Sequence, residues 1–258
     1  MSLYLYLNKN TFIHRLNPIT KIICLLLLFA AAMFFIHPLY LLILAGILLV
    51  IGISSGTLEN LRKLWILMAM IGIFSFILWS IFYRGPTVIL RYRFISVSEE
   101  SLLYGLGMAV RLNIMLFSGL IFLSTTRIED FTAGLNKLGV PFSASFALSL
   151  AFRLVPMFLG TASTIIEAQK SRGLDLDSGN IFQRIKKHIP LLIPVFVSAL
   201  RTVDNLSVAL ESKGFGAGLK RTYYLQYDFR TADYLALSFI VVLNVFILYL
   251  RLQGVGNI

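Results

Sequence analysis

The sequence predicts an all-α integral membrane protein, with about five transmembrane helices and a further region of long helices on the cytoplasmic side. Three observations lead there. Hydrophobic residues make up 58% of the 258 residues and charged residues only 14%, with a mean hydropathy of +0.83, which is more apolar surface than a soluble core of this size can bury. Several apolar stretches approach the roughly 20 residues a helix needs to cross a hydrocarbon layer about 30 Å thick. The formal charge of +11 sits on a chain without the water-soluble scaffold on which nucleic-acid binders display basic patches, so its basic residues set membrane orientation.

The stretch from Met1 to Asn17 is too polar for a cleaved signal peptide and is expected to be retained. Residues 19–36 and 39–53 are two apolar runs joined by His37-Pro38, a break short enough only for a hairpin of antiparallel helices. Residues 64–83 are uncharged and carry Trp65 and Trp79 toward their two ends, where amphipathic rings favour the headgroup region. Residues 102–125 form a fourth run, interrupted by Arg111 and Asn113, and residues 234–250 a fifth. The lone cysteine, Cys24, lies inside an apolar run and excludes both a disulfide framework and a cysteine metal site.

Residues 127–230 are helical in pattern, mixed in polarity, and punctuated by Gly139-Val140-Pro141, Pro156, Pro190 and Pro194. The chain therefore divides into residues 1–126 with four spans, 127–230 with a separate job, and 231–258 with the last span. With a cytoplasmic N-terminus, this arrangement puts 18 of the 23 basic residues on the cytoplasmic side, as the positive-inside bias requires. Letting 142–159 cross the bilayer would move Lys170 to Lys187 outside. The expected topology is thus cytoplasmic N-terminus, outer C-terminus, and 142–159 lying against the spans.

The most informative feature is a duplication. Ala168-Gln169-Lys170-Ser171-Arg172-Gly173 and Ala209-Leu210-Glu211-Ser212-Lys213-Gly214 both read Ala, two variable residues, Ser, a basic residue, Gly, at the ends of long helical stretches. One such hexapeptide is an ordinary helix C-terminus, with glycine in the left-handed position and a cation against the negative end of the dipole. Two of them suit docking into acidic grooves on a partner. Arg111, the one basic residue deep in an expected span, is a candidate functional residue, its bland alternative being a pair with a backbone carbonyl. His14, His37 and His188 are scattered and no Gly-rich phosphate loop precedes a Lys-Ser or Lys-Thr, so neither a catalytic base cluster, a metal site nor nucleotide binding is expected in this chain.

The paired Ser-Arg-Gly and Ser-Lys-Gly resemble the Ala-Arg-Gly-type motifs that end the two long coupling helices in the T component of energy-coupling factor (ECF) transporters. Ile13-His14-Arg15-Leu16-Asn17-Pro18 with Lys21 is similar to that family's N-terminal His-Arg-Leu-Asp-Pro segment. Thr125-Thr126 with Glu129-Asp130, then Leu138-Gly139-Val140-Pro141, resembles its junction into the coupling domain. The sequence departs from the pattern at Asn17 for Asp and at Lys213 for Arg.

The resemblance implies a non-catalytic subunit with two cytosolic ATPases docked at Ser171, Arg172, Gly173 and Ser212, Lys213, Gly214. It also implies a membrane S component carrying a vitamin or a transition-metal ion. The chain itself would hold no cofactor, ATP and Mg being bound by the ATPases. Gly139 and Pro141, and the segment from Leu174 to Gly179, would serve as hinges. A competing expectation is a membrane scaffold or small-solute channel that holds anionic lipid through its basic cytoplasmic helices without any ATPase.

Overall fold

A computed structural model describes residues 5–83, 85, 87–92, 95–174, 178, 180–217 and 227–253. Its elements in chain order are α1 (Pro18–Phe34), α2 (Pro38–Ser55), α3 (Leu58–Phe82), β1 (Val88–Tyr92), β2 (Ile95–Ser98), α4 (Glu99–Thr125), α5 (Ile128–Lys137), α6 (Phe142–Ser171), α7 (Ile181–Ser212) and α8 (Thr231–Leu252). The all-α membrane class holds, with one short hairpin added. Between α3 and α4, β1 and β2 pair antiparallel from Val88 opposite Ser98 to Tyr92 opposite Ile95.

The chain forms two compact units, Met1–Pro141 with Tyr227–Ile258, and Phe142–Gln226. In the first, α4 is the central helix, packed on by α1, α2 and α3, while α8 and α5 pack on α1. Helix starts follow their local chemistry. Asn17 caps α1 by accepting from the Ile19 N–H, with Pro18 in the first turn, and His37 does the same for α2 ahead of Pro38. The core is built from Ala31, Ala32 and Phe35 of the α1 end, Leu41, Leu44 and Leu48 of α2, and Ile114, Phe117, Leu120 and Ile121 of α4. Polar residues sit inside, among them Asn60, Ser75, Ser101, Ser118 and Ser124, while Ile43, Val50, Ile66, Phe74, Val242 and Phe246 face outward. Such a distribution suits lipid as the surrounding solvent, where small hydroxyl and amide side chains join helices.

Six helices among the described residues are long and apolar enough to span a bilayer: α2, α3, α4, α6, α7 and α8. Three of the five expected spans are α2, α3 and α4, a fourth is α8, and the first corresponds to α1, which at 17 residues reaches about 26 Å. The remaining two, α6 and α7, fall within residues 127–230, where no span was expected, and by length and composition both qualify. Helix α5, grouped by sequence with residues 127–230, packs instead on α1 in the first unit.

The second unit is α6, of 30 residues, packed on α7, of 32. Both are continuous through prolines that the sequence offered as breaks: Pro156 lies inside α6, and Pro190 and Pro194 inside α7. A proline removes one N–H and leaves the carbonyl four residues earlier unpaired, a local defect that a helix of eight or nine turns held by a neighbour tolerates.

Candidate functional site: two cationic helix tips and the N-terminal junction

At the end of α6 the Gly173 N–H donates to the Lys170 carbonyl at 3.0 Å and the Leu174 N–H to the Gln169 carbonyl at 3.1 Å. At the end of α7 the Gly214 N–H donates to Glu211 and the Phe215 N–H to Leu210, both at 2.9 Å. Gly173 and Gly214 have φ of 90° and 74°. Each tip is therefore a Schellman cap with glycine in the left-handed position. The serines are spent internally, Ser171 Oγ donating to Glu167 O at 3.0 Å and Ser212 Oγ to Ala209 O at 2.9 Å. What remains for a partner is the cation.

The cap alone is not distinctive. Helices α2 and α5 end in the same pair of bonds around Gly56 and Gly139, yet the residue before the glycine is buried Ser55 in one and Leu138 in the other. Only at the α6 and α7 tips, among the described residues, is that position basic, and there both Arg172 and Lys213 are exposed. Neither has an ion-pair partner among the described residues.

The tips are far apart. Phe215, which follows the α7 cap, packs its ring on Phe142 and Phe146 at the start of α6, with centroids 6.3 and 4.6 Å away. From Phe146 to Ser171 is 25 residues of helix, roughly 38 Å at 1.5 Å per residue. Hence α6 and α7 lie antiparallel with one cation at each end. Between the tips α7 carries an exposed apolar stripe at helical spacing: Phe182 (87% exposed), Ile185, Ile189, Leu192, Ile193, Phe196 and Leu200. Leu191, on the opposite face, is buried.

The N-terminal and junction motifs meet in the first unit. Lys21 is buried and its ammonium donates to the Thr125 carbonyl at 2.7 Å and the His14 carbonyl at 3.0 Å. The Asn17 N–H donates to Asp233 Oδ1 at 2.7 Å, and Asp233 Oδ2 accepts the Arg230 N–H at 2.9 Å. Asn17 Nδ2 reaches the Tyr227 carbonyl at 3.3 Å, which also accepts from Lys137 Nζ at 2.7 Å. An aspartate at 17 would lose that donor and place a second carboxylate near Asp233, so the departure at Asn17 is matched by its surroundings. Tyr227 donates its hydroxyl to Asp130 Oδ1 at 2.5 Å. Burial, then the bond to Asp130, pushes the phenol pKa up.

Sequence reasoning missed Asp233, Tyr227 and Lys137. For Asp233 a signal was present: an acidic residue three positions after Arg230, where a helix starts, is a capping-box arrangement.

Arg111, on α4, donates to the Phe35 carbonyl at the end of α1 and to Met108 Sδ. Arg251, on α8, donates to the neighbouring Phe34 carbonyl at 2.8 Å. Two guanidinium groups thus close the negative end of α1. Of the hinge candidates, Gly139 has φ of 102° within the α5 cap, and Pro141 ends the first unit. Residues 175–177 and 179 of the other candidate segment lie outside the described residues.

His14 gives a pH test of the junction. Its Nε2 donates to the Leu7 carbonyl at 2.9 Å, leaving Nδ1 to accept from the Thr11 hydroxyl at 2.7 Å. Burial holds its pKa below the usual 6.5, opposed by the Leu7 carbonyl and supported by nearby Lys21. The folded state therefore binds this proton less well than the unfolded chain. Its contribution is fully present above pH 6.5 and is lost as pH falls through the lowered value. Between pH 7.5 and 5 the melting temperature of the wild type should fall toward that of His14→Gln. Parallel curves for the two proteins would exclude His14 as the titrating group.

The family model described as "Cobalt transport protein" (CbiQ) matches residues 9–224. The chain is similar to the energy-coupling factor transporter transmembrane protein EcfT of Staphylococcus aureus, with 33% identity over 97% of each chain. It is likewise 33% identical to EcfT of Lactococcus lactis, covering 94% of this chain and 95% of that one. With EcfT of Lacticaseibacillus paracasei the identity is 32%, over 95% and 97%.

Proposed function

Because the chain belongs to the family of energy-coupling factor transporter transmembrane proteins, we propose that it is the coupling subunit of an ECF importer. It transmits the motion of two cytosolic ATPases to a substrate-carrying S component. The observation that carries this reading is the pair of identical Schellman caps with an exposed cation before each glycine, at opposite ends of a helix pair about 38 Å apart. One helix cannot offer both tips to a single small groove; two ATPase subunits, each with an acidic groove, match the spacing. ATP and Mg are held by those subunits, and this chain binds no cofactor. When ATP draws them together, α6 and α7 act as levers and the Gly139 to Pro141 segment yields. The tips, α6 and α7 face the cytoplasm, as does the N-terminus, and the C-terminus lies outside. The cargo, a vitamin or a transition-metal ion, is recognised by the S component.

The apolar stripe of α7 is the S-component surface in this reading. Replacing Leu192 and Phe196 together by Arg should lower S-component recovery at least tenfold, each buried large apolar side chain being worth roughly 1.5–3 kcal/mol. ATPase recovery should stay unchanged. Affinity purification of the tagged full chain, followed by identification of bound subunits, reads both. Recovery of neither ATPases nor S component with the wild-type chain would overturn the function itself. The tips should also differ: Arg172→Lys removes a bidentate fork and should speed ATPase dissociation, whereas Lys213→Arg adds one and should not. Dissociation rates of the two single variants decide this.

A further inference from the structure

The first unit contains a cavity of about 470 Å³ between α1, α2, α4, α8 and the segment from Phe12 to Leu16. Its walls are apolar, with Leu28, Leu44, Ile121, Phe239 and Leu243 among them. The hydroxyls that reach it are already used: Ser54 donates to Ile51 O, Ser118 to Met115 O and Thr125 to Ile121 O, all within 2.9 Å. The exception is Lys21, which lines the end where α1 and α8 begin and α4 finishes. Its ammonium has three protons and two carbonyl partners. Among the described residues it has no ion pair, and Asp130 and Asp233 act on it only from beyond contact.

The cavity is thus an apolar slot with, at its interfacial end, a buried cation that has no ion pair among the described residues. From Lys21 to Leu28 is seven residues, about 10 Å along the bundle. One hydrocarbon chain fits, and the bilayer supplies it. We infer that the slot holds an acyl chain of an anionic membrane lipid, its acidic headgroup resting on the free N–H of Lys21. The lipid fills the gap beside the junction of α1, α4 and α8 and gives the Lys21 ammonium an anion at contact, where Asp130 and Asp233 act only from farther away.

The test uses the full-length chain reconstituted in phosphatidylcholine nanodiscs. These contain a trace of a diazirine-acyl phosphatidylglycerol or of the matching phosphatidylcholine. After photolysis, labelled peptides are mapped. The expected result is labelling of the wall around Cys24 to Leu28 and Phe239 to Leu243, at least fivefold stronger with the phosphatidylglycerol probe. Leu243→Trp, and independently Leu28→Trp, should remove the wall labelling while leaving labelling of outward-facing Ile73 and Phe74 in place. Lys21→Gln, which keeps a donor to the Thr125 carbonyl, should equalise the two probes. Equal wall labelling by both lipids in the wild type overturns the proposal, as does wall labelling that survives both tryptophan variants.

Discussion

Reversing both tip charges, Arg172→Glu with Lys213→Glu, is expected to abolish ATPase-subunit association and transport while leaving membrane insertion and helix content intact. The expectation rests on what each residue of the tip already does. The serine hydroxyls bond back into their own helices and the glycines close the caps, so the exposed cations are what the tips offer outward. Losing one member of a desolvated interfacial charge pair costs about 2–5 kcal/mol, and each 1.4 kcal/mol is tenfold in affinity. Reversal at both tips adds repulsion to loss. The helices themselves are affected little, because an exposed carboxylate at a helix C-terminus costs only about 0.3–1 kcal/mol. Pull-down of the ATPases by the double variant, alongside its thermal unfolding, separates the two effects. Intact complexes with normal uptake would remove the docking role from the tips. Loss of binding with a collapsed melting temperature would move it to the fold.

Much of this arrangement was legible in the sequence because it is local. The spans follow from runs of apolar residues, and the caps from Gly173 and Gly214 with their neighbours. Both kinds of signal lie within a few residues of the feature they produce. What was not legible is long-range. Nothing near Pro156, Pro190 or Pro194 says that α6 and α7 continue through them; the support comes from the partner helix. Likewise the separation of the tips depends on Phe215 returning to Phe142 and Phe146, some 70 residues back. Arg111 shows the same limit from the other side. Its position marked it as unusual, but only the fold supplies the Phe35 carbonyl that explains it. The hairpin of residues 88–98 was not legible, because two paired strands leave almost no periodic signal in so short a stretch.

Asp233 is expected to be the residue of the first unit whose loss costs most. It is buried, 1% exposed, and its two oxygens accept one N–H each, from Asn17 at the start of α1 and from Arg230 at the start of α8. One carboxylate thus caps its own helix and ties it to the first residue before another, 216 positions away in sequence. Asp233→Ala leaves two donors without a partner, the buried Asn17 N–H and the part-buried Arg230 N–H, at up to about 3 kcal/mol each. That is a large part of the 5–15 kcal/mol by which a fold of ordinary stability persists, and corresponds to a fall in melting temperature of roughly 5–20 °C. Asp233→Asn should fall between, since its amide retains one acceptor oxygen and turns an NH2 toward the second donor. Melting of the detergent-purified full chain checks the order wild type, Asn, Ala. Should Asp233→Ala melt within about 2 °C of wild type, water satisfies those N–H groups and the tie between α1 and α8 rests on their apolar contact. In that case the lipid slot beside it, which shares Leu28, Phe239 and Leu243 with those two helices, would gain weight as the element that holds them together.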